Sequence, residues 1–458
     1  MNRSARTTHR NARTISRRGF LRSTAALPGI VAAPWLLPGL ARGTQPPSRR
    51  ITLGLIGVGA MGNGHLRRFA GDNSTQLLAV CDVDSLRREN ARKRVEAVYA
   101  AERSTGTYRG CTAYNDYREL LARDDIDAVV IVTPDHWHTP MSVAAATAGK
   151  DVYCEKPVSV TIQEGRRLSD TMRRCGTIFQ TGTQYRSIST IRQVCAAVRN
   201  GALGRVKSAY TIWRGGPNSH PLPAEAVPEG LDWDLWVGPA AWRPYNRRFH
   251  RNPIPGVVPW SFCEDFGVAS VTGFHSHAAD VIQYALGVEE SGPVEIIHPS
   301  SGAFPTLTCR YANGTLLHHV ANWRQVKELY KAVPGKARLE GAFGGLFVGE
   351  RGWLTSMTKG GPIEGGPDTL LKELPLATRE VIPGDNNHHA NWLECVRSRR
   401  RPSCDAEIGH RSASLGHLVV LAEKLERSLK WDPAKEAFIG DDQANRLRSR
   451  AMREPWRR

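Results

Sequence analysis

The chain has 458 residues, 41% apolar and 23% charged, with a formal net charge of +18. That length exceeds one ordinary core and fits two domains with tails. The charge sits at the ends: residues 1–50 hold ten Arg and no acid, residues 446–458 hold six Arg and one Glu, and 51–445 carry only +3, which excludes a body built to bind nucleic acid.

Ser16-Arg17-Arg18-Gly19-Phe20-Leu21-Arg22 precedes a mildly apolar run, Ser23 to Leu40. Paired arginines before a modest apolar region read as a twin-arginine export signal over 1–41, followed by a linker over 42–50. The expected location is therefore the periplasm or another extracytoplasmic site. Prolines at 28, 34 and 38 argue against a spanning helix there. No run of 18 uninterrupted apolar residues follows, so no membrane span is expected in the mature chain. The twin-arginine route carries folded proteins, and export with a cofactor already bound would require its retention through turnover.

Apolar runs at Ile51–Ile56, Leu77–Val80, Ala128–Val132, Val152–Cys154 and Thr177–Gln180 read as buried parallel strands. Helical patterns separate them at Gly64–Ala70, Ser85–Ala101, Asp116–Ala122, Pro140–Ala148 and Ile162–Cys175. Alternating strands and helices predict an α/β Rossmann domain with a parallel sheet over 51–184. The texture then changes. Helices are expected at Ser189–Asn200, Phe274–Leu286, His389–Ser398 and Glu407–Lys430. Strands are expected at Val206–Trp213, Val294–His298, Thr306–Tyr311, Thr315–Trp323, Ala337–Glu340, Leu346–Gly349 and Gly352–Ser356. This is an α+β domain with an antiparallel sheet over 185–440, and 441–458 reads as a solvated basic tail. The nine cysteines are spaced singly without a C-x-x-C pair. That disfavours a zinc ribbon or a thioredoxin-like motif and fits buried thiols.

Gly57-Val58-Gly59-Ala60-Met61-Gly62 follows the first strand and opens a helix. Gly57 serves the tight turn, Gly59 lets backbone approach a pyrophosphate, and Gly62 lets helix and strand pack closely. Ala60 and Met61 open the helix, whose free N–H groups face the phosphates. Asp82 ends the second strand and should bind the adenosine ribose. Its charge favours NAD over NADP, although Arg87 and Arg88 are near.

Further on, Asp151-Val152-Tyr153-Cys154-Glu155-Lys156-Pro157 resembles the E-K-P signature of the glucose-fructose oxidoreductase/inositol dehydrogenase (Gfo/Idh/MocA) family. Thr133-Pro134-Asp135-His136-Trp137-His138 resembles that family's T-P-x-x-x-H loop, and Gly182-Thr183-Gln184-Tyr185-Arg186 its domain-crossing segment. Leu231 to Pro239 and Glu407 to Ser412 resemble a secreted bacterial branch. The resemblance implies an open-faced second sheet, a sugar or cyclic polyol held against nicotinamide, and homo-oligomers paired through that sheet. It implies that Thr133, Pro134 and His138 line the nicotinamide end. Lys156 stabilises the developing alkoxide and takes its proton, and Glu155 fixes Lys156 or contacts the nicotinamide ribose. A cis bond before Pro157 would aim the amine. His277 matches the family's acid/base histidine, but Gly273 stands where a family aspartate usually does, so Asp265, Glu264 or His275 would have to substitute. Asp280 reads as structural.

Sugar sites need planar hydrogen-bonding groups and aromatic faces. Tyr185, Arg186, Arg214 and His275 are the candidate substrate contacts, and most tryptophans of 213–260 read as core. A metal site from His275 and His277 with His388 or His389 is disfavoured against plain hydrogen bonding. The leading expectation is NAD(H)-dependent oxidation or reduction of a sugar or polyol. The alternatives are an NAD-recycling glycoside hydrolase, working by oxidation, elimination, hydration and re-reduction, and a non-catalytic sugar-binding protein.

Overall fold

Six strands, β1 (Ile51–Ile56), β2 (Thr75–Cys81), β3 (Thr112–Tyr114), β4 (Ala128–Ile131), β5 (Asp151–Cys154) and β6 (Phe179–Thr181), form the first sheet. Their order is β3-β2-β1-β4-β5-β6, and every pairing is parallel. The computed structural model describes residues 50–250, 259–341, 344–357, 361–377 and 386–456; the expected signal lies outside them. β1 and β4 are buried on both faces because separate apolar clusters cover the two sides of the sheet, as parallel sheets require. Strand order reverses between β1 and β4, and ligands of such sheets bind outside the carboxyl ends at that point.

The second sheet has nine strands: β7 (Val206–Ile212), β8 (Glu295–Ile297), β9 (Thr308–Arg310), β10 (Leu316–Val320), β11 (Leu346–Gly349), β12 (Trp353–Thr355), β13 (Glu364–Gly366), β14 (Leu429–Asp432) and β15 (Ala437–Phe438). Their order is β13-β12-β11-β7-β10-β9-β8-β14-β15. All pairings are antiparallel except β7 with β10, so the sheet is mixed. The long connection between β7 and β10 frees that pair from hairpin geometry. One face packs on the helices Ser189–Arg199, Ser276–Leu286 and Ala406–Leu425 through Ala209, Leu317, Phe347 and Leu354. The other face is capped locally: Tyr210, Ile212, Val320 and Leu346 pack with Trp323, Val326 and Val333 of the segment after β10.

That capping explains a difference from expectation. Ala337–Glu340 is not a strand; Ala337 and Leu339 pack on the cap instead. The last long helix ends at Leu425, where Glu426 takes a left-handed conformation (φ 53°), and the chain re-enters the sheet as β14. The basic end is not a solvated tail. Arg450 donates to the carbonyls of Glu264 and Asp265, Arg453 pairs with Asp234, and Trp456 packs edge-on against Trp137 at 4.9 Å. Backbone carbonyls and a carboxylate there accept what the arginines offer.

Candidate active site

A cleft of about 650 Å³ opens at the carboxyl ends of β1, β2, β4 and β5. Gly57, Gly59, Ala60, Met61, Asp82, Thr133, Pro134, His138, Glu155 and Lys156 all line it, so every expected cofactor residue except Gly62 faces one space. Gly62 lies beneath, where a Cβ would stand 2.0 Å from the Gly57 carbonyl oxygen. Gly57 has a positive φ of 88°, and a Cβ there would meet the Val132 carbonyl oxygen at 2.5 Å. At Gly59 the space is open, with Arg87 Nη1 the nearest atom at 3.8 Å.

The residues fit a dinucleotide. No side chain caps the helix Ala60–Ala70 and no acid occupies its first turn, so its positive end faces the cleft. Asp82 accepts from the N–H groups of Val58 (2.9 Å) and Asp84 (3.0 Å), and burial pushes its carboxyl up from the ordinary value. Thr133 Oγ1 is buried without a partner, a group that a bound ligand can satisfy.

The part of the cleft lined by Glu155 and Lys156 is built around the cis Lys156–Pro157 bond. Lys156 Nζ donates to the carbonyls of Thr272 (2.6 Å) and Gly273 (3.0 Å). Burial pulls its pKa below the ordinary lysine value, against the charges of Glu155 and Asp135. Glu155 Oε1 lies 2.9 Å from both His65 Nε2 and Gln184 Nε2. Burial pushes the Glu155 pKa up, but the His65 bond and charge, with Lys156, hold it below the carboxylate range. His138 is a strut: its Nδ1 lies 2.6 Å from the Pro157 carbonyl and its Nε2 2.8 Å from that of Thr133. It therefore ties the two loops together and has no ring nitrogen left for a ligand.

The substrate residues expected from sequence do not converge. Arg186 is buried in a two-toothed pair with Asp280, at 2.7 and 2.6 Å, and donates to the Ser403 carbonyl, so it is structural rather than a substrate contact. His275 is also withdrawn: its Nε2 lies 3.1 Å from His319 Nε2, and burial lowers its pKa to about 3. Arg214 is exposed, its backbone N–H bonded to Ser270 Oγ. Tyr185 and His277 do meet, ring centroids 4.2 Å apart and edge-on, but neither is among the residues that line the cleft. His388 bonds the Thr181 carbonyl and His389 stacks on Tyr153, so neither joins His275. Among the described residues no group of three or more His, Cys, Asp or Glu is arranged to hold a metal.

None of the suggested substitutes for the aspartate that Gly273 replaces is directed at Lys156. Asp265 is bound by Arg243, Glu264 by Lys424, and His275 by His319. Besides Asp82 and Glu155, the cleft is lined by a third acid, Asp135, which feels the Lys156 charge. It belongs to the T-P-D-H-W-H loop, in which the family resemblance points only to Thr133, Pro134 and His138. Trp137, Trp236, Phe249, His250, Trp260 and Thr272 also line the cleft unforeseen. Trp236, Phe249, His250, Trp260 and Thr272 come from far along the chain, and no local spacing encodes their return to this cleft.

Residues 51–183 match the profile described as "Oxidoreductase family, NAD-binding Rossmann fold", and 207–330 with 372–458 match "Oxidoreductase family, C-terminal alpha/beta domain". A glycosyl hydrolase family 109 protein 2 of Shewanella sp. (strain ANA-3) is 39% identical over 126 residues, 28% of this chain and 27% of that protein. A family 109 protein 1 of the same strain is 34% identical over 178 residues, 35% of this chain and 37% of that protein. The matches thus span between about a quarter and two fifths of these curated relatives. Among solved structures, an aldose-aldose oxidoreductase from Caulobacter crescentus superposes with TM-score 0.51 at 18% identity, covering 83% of this chain and all of that one. The WlbA dehydrogenase from Bordetella pertussis, solved with NADH and UDP-GlcNAcA, gives 0.53 at 18%, covering 84% and 99%. At such identities these two likenesses speak to the fold. The glycine turn, the lysine before a cis-proline and both profile matches agree: the chain belongs to the Gfo/Idh/MocA oxidoreductase family.

Proposed function

We propose that the protein is an NAD(H)-dependent oxidoreductase that transfers hydride between a carbinol carbon of a sugar, sugar derivative or cyclic polyol and the nicotinamide. The observation that carries this is the Lys156 amine, held at the inner end of the dinucleotide cleft with a lowered pKa. When bound, NAD supplies the hydride acceptor. The protein supplies the rest. A neutral amine spends its two N–H bonds on the carbonyls of Thr272 and Gly273, which leaves its lone pair for a substrate hydroxyl proton. After taking that proton, the ammonium has one N–H directed at the nascent carbonyl oxygen. His277, edge-on to Tyr185, is assigned to the substrate side as acid/base.

Asp82 favours NAD over NADP, because a carboxylate there repels a 2′-phosphate. Arg87 is held by Asp84 and the His250 carbonyl, which limits its freedom to offset that charge. A homo-oligomer paired through the second sheet, and export through the signal at Ser16–Arg22, belong to the same reading. The first rests on the family resemblance and is checked by sedimentation; the second rests on the paired arginines and is checked by the fate of a signal-fused reporter.

A second reading, a glycosyl hydrolase, is favoured by the names of the matching curated relatives. There, oxidation by bound NAD, with the same lysine taking the hydroxyl proton, would precede elimination, hydration and re-reduction, with no net consumption of NAD.

The test is to measure dinucleotide in the purified protein by mass spectrometry, then assay sugars, cyclitols and aryl glycosides with and without added NAD. Net NADH formation supports the first reading. Sugar release without added NAD supports the second. Protein that neither retains nor binds NADH in a fluorescence titration overturns both.

A further inference from the structure

Thr272 has one hydroxyl proton and one carbonyl, and the structure commits both. The Val268 N–H donates to Thr272 Oγ1 at 2.7 Å, so the hydroxyl acts there as acceptor. Its own proton goes to Asp135 Oδ2. The Thr272 carbonyl meanwhile accepts from Lys156 Nζ at 2.6 Å. Asp135, Thr272 and Lys156 all line the cleft, and Asp135 is only 1% exposed. A buried carboxylate needs partners, and this one has a fixed hydroxyl donor and a lysine charge nearby. Gly273, at the usual aspartate position, offers Lys156 only its carbonyl, with nothing within 4 Å of where its Cβ would stand.

We propose that Asp135, acting through Thr272, is the positioning carboxylate of this site, the counter-charge that holds Lys156 in place and balances the ammonium it becomes. Resting on the oxidoreductase reading above, this relocates the acidic partner of the lysine from the start of the second domain's helix to the loop after β4. Asp135 takes no proton from substrate and forms no bond. The hydroxyl proton ends on Lys156, and Asp135 in its ionised form makes that transfer less costly. The other charged groups facing this pair are Glu155 beside Lys156 and Arg450 of the C-terminal segment near Asp135. Burial raises the Asp135 pKa to about 7, opposed by the Thr272 bond and by Lys156, so the counter-charge strengthens as pH rises through neutrality.

The experiment uses full-length protein and the pH dependence of Lys156 labelling by trinitrobenzenesulfonate, read by peptide mass spectrometry. It needs neither cofactor nor sugar. Asp135→Asn removes the counter-charge at constant shape, so the labelling midpoint should fall by about one pH unit. Thr272→Val, which keeps the carbonyl and loses the donor, should shift it the same way by less, and Thr272→Ser should restore it. Thermal melting verifies that each variant is folded, and if Asp135→Asn does not fold, Thr272→Val carries the test. A midpoint unchanged in the folded variants overturns the assignment. Failure of the wild-type protein to bind NADH would instead overturn the oxidoreductase reading and leave the labelling result standing.

Discussion

Arg186 and Asp280 form an ion pair with two contacts, 2.7 and 2.6 Å, in which the side chains are 3% and 0% exposed. Ser412 Oγ at 3.2 Å and Cys404 Sγ at 3.6 Å also donate to Asp280 Oδ1, and Arg186 lies over the Tyr284 ring. The pair joins the segment after β6 to the helix Ser276–Leu286, which carries His277. Removing one partner of a buried pair strands the other charge, which costs about 3–5 kcal/mol. Asp280→Ala should therefore lower the urea unfolding free energy by about that amount, and Asp280→Asn by less. If Arg186 served the substrate instead, Asp280→Ala would leave unfolding nearly unchanged.

The two roles of glycine in the first turn are separable. At Gly62 an added Cβ meets fixed backbone at 2.0 Å, whereas at Gly59 nothing in the protein lies closer than 3.8 Å and φ is an ordinary −67°. Gly62→Ala should destabilise the fold by a few kcal/mol, as overpacking does (~1–3 kcal/mol). Gly59→Ala should melt like the wild type yet bind NADH at least about tenfold more weakly, because its methyl occupies the space a pyrophosphate needs. Calorimetry and NADH fluorescence titration on both variants decide this. Unimpaired NADH binding by Gly59→Ala would refute the assigned path of the dinucleotide.

Those glycines were legible because a tight turn between strand and helix leaves a local signature, as did Asp82 and the strands β1, β2, β4 and β5. Short elements were not. β3 is the three residues Thr-Ala-Tyr, with Thr112 exposed, and β13 contains two glycines, so neither has an apolar run to detect. They are strands because a neighbour offers an edge. The site divides in the same way. Lys156 announced itself through Glu155 and Pro157. Asp135 and Thr272 are 137 residues apart, and only the fold joins them. Arg186 looked like a substrate contact because sequence shows its chemistry and not its burial.

Acid sensitivity should trace to the cluster joining the helices Ile162–Cys175 and Ala406–Leu425. Glu436 accepts from Arg166 (3.0 Å) and lies 2.6 Å from His410 Nε2, while Glu407 accepts from Arg166 and Arg411. Burial pushes Glu436 up, but His410 and Arg166 prevail and hold its pKa at about 2, against an ordinary 4.5. A depressed carboxylate stabilises the fold above its unfolded pKa and ceases to do so as pH falls through the folded value. That loss, on the order of 2–3 kcal/mol, belongs between about pH 4.5 and 2. His410, whose pKa burial lowers against the pull of Glu436, acts in the same sense from about pH 6.5 downward, since the unfolded chain takes up the proton first. Urea midpoints should therefore decline from pH 6.5 to 2. Glu436→Gln should lower the midpoint at pH 7 and flatten the acid limb; a limb of unchanged steepness would place the sensitivity elsewhere.

The C-terminal segment should matter to cofactor retention although it lies outside the cleft. Trp137 and Trp236 line the cleft, and Trp137 Nε1 donates to the Trp236 carbonyl at 3.0 Å. Behind them, Trp456 packs on Trp137, Arg118 lies 5.1 Å from the Trp456 ring, and Arg453 donates to the carbonyls of Gly238 and Asp234. Gly238 is in turn pressed on Trp137, where a Cβ would stand 2.0 Å from the indole. Removing residues 450–458 strips this backing and frees the carbonyls of Glu264 and Asp265 that Arg450 satisfies. Losing one buried aromatic contact and several charge-assisted bonds should cost about 2–4 kcal/mol of stability. Part of that loss should fall on the cleft wall, so the NADH dissociation constant should rise about tenfold, equivalent to about 1.4 kcal/mol. Trp456→Ala should produce a smaller change in the same direction. A truncated protein that melts earlier but binds NADH as tightly as before would show that the segment braces the fold without bracing the cleft.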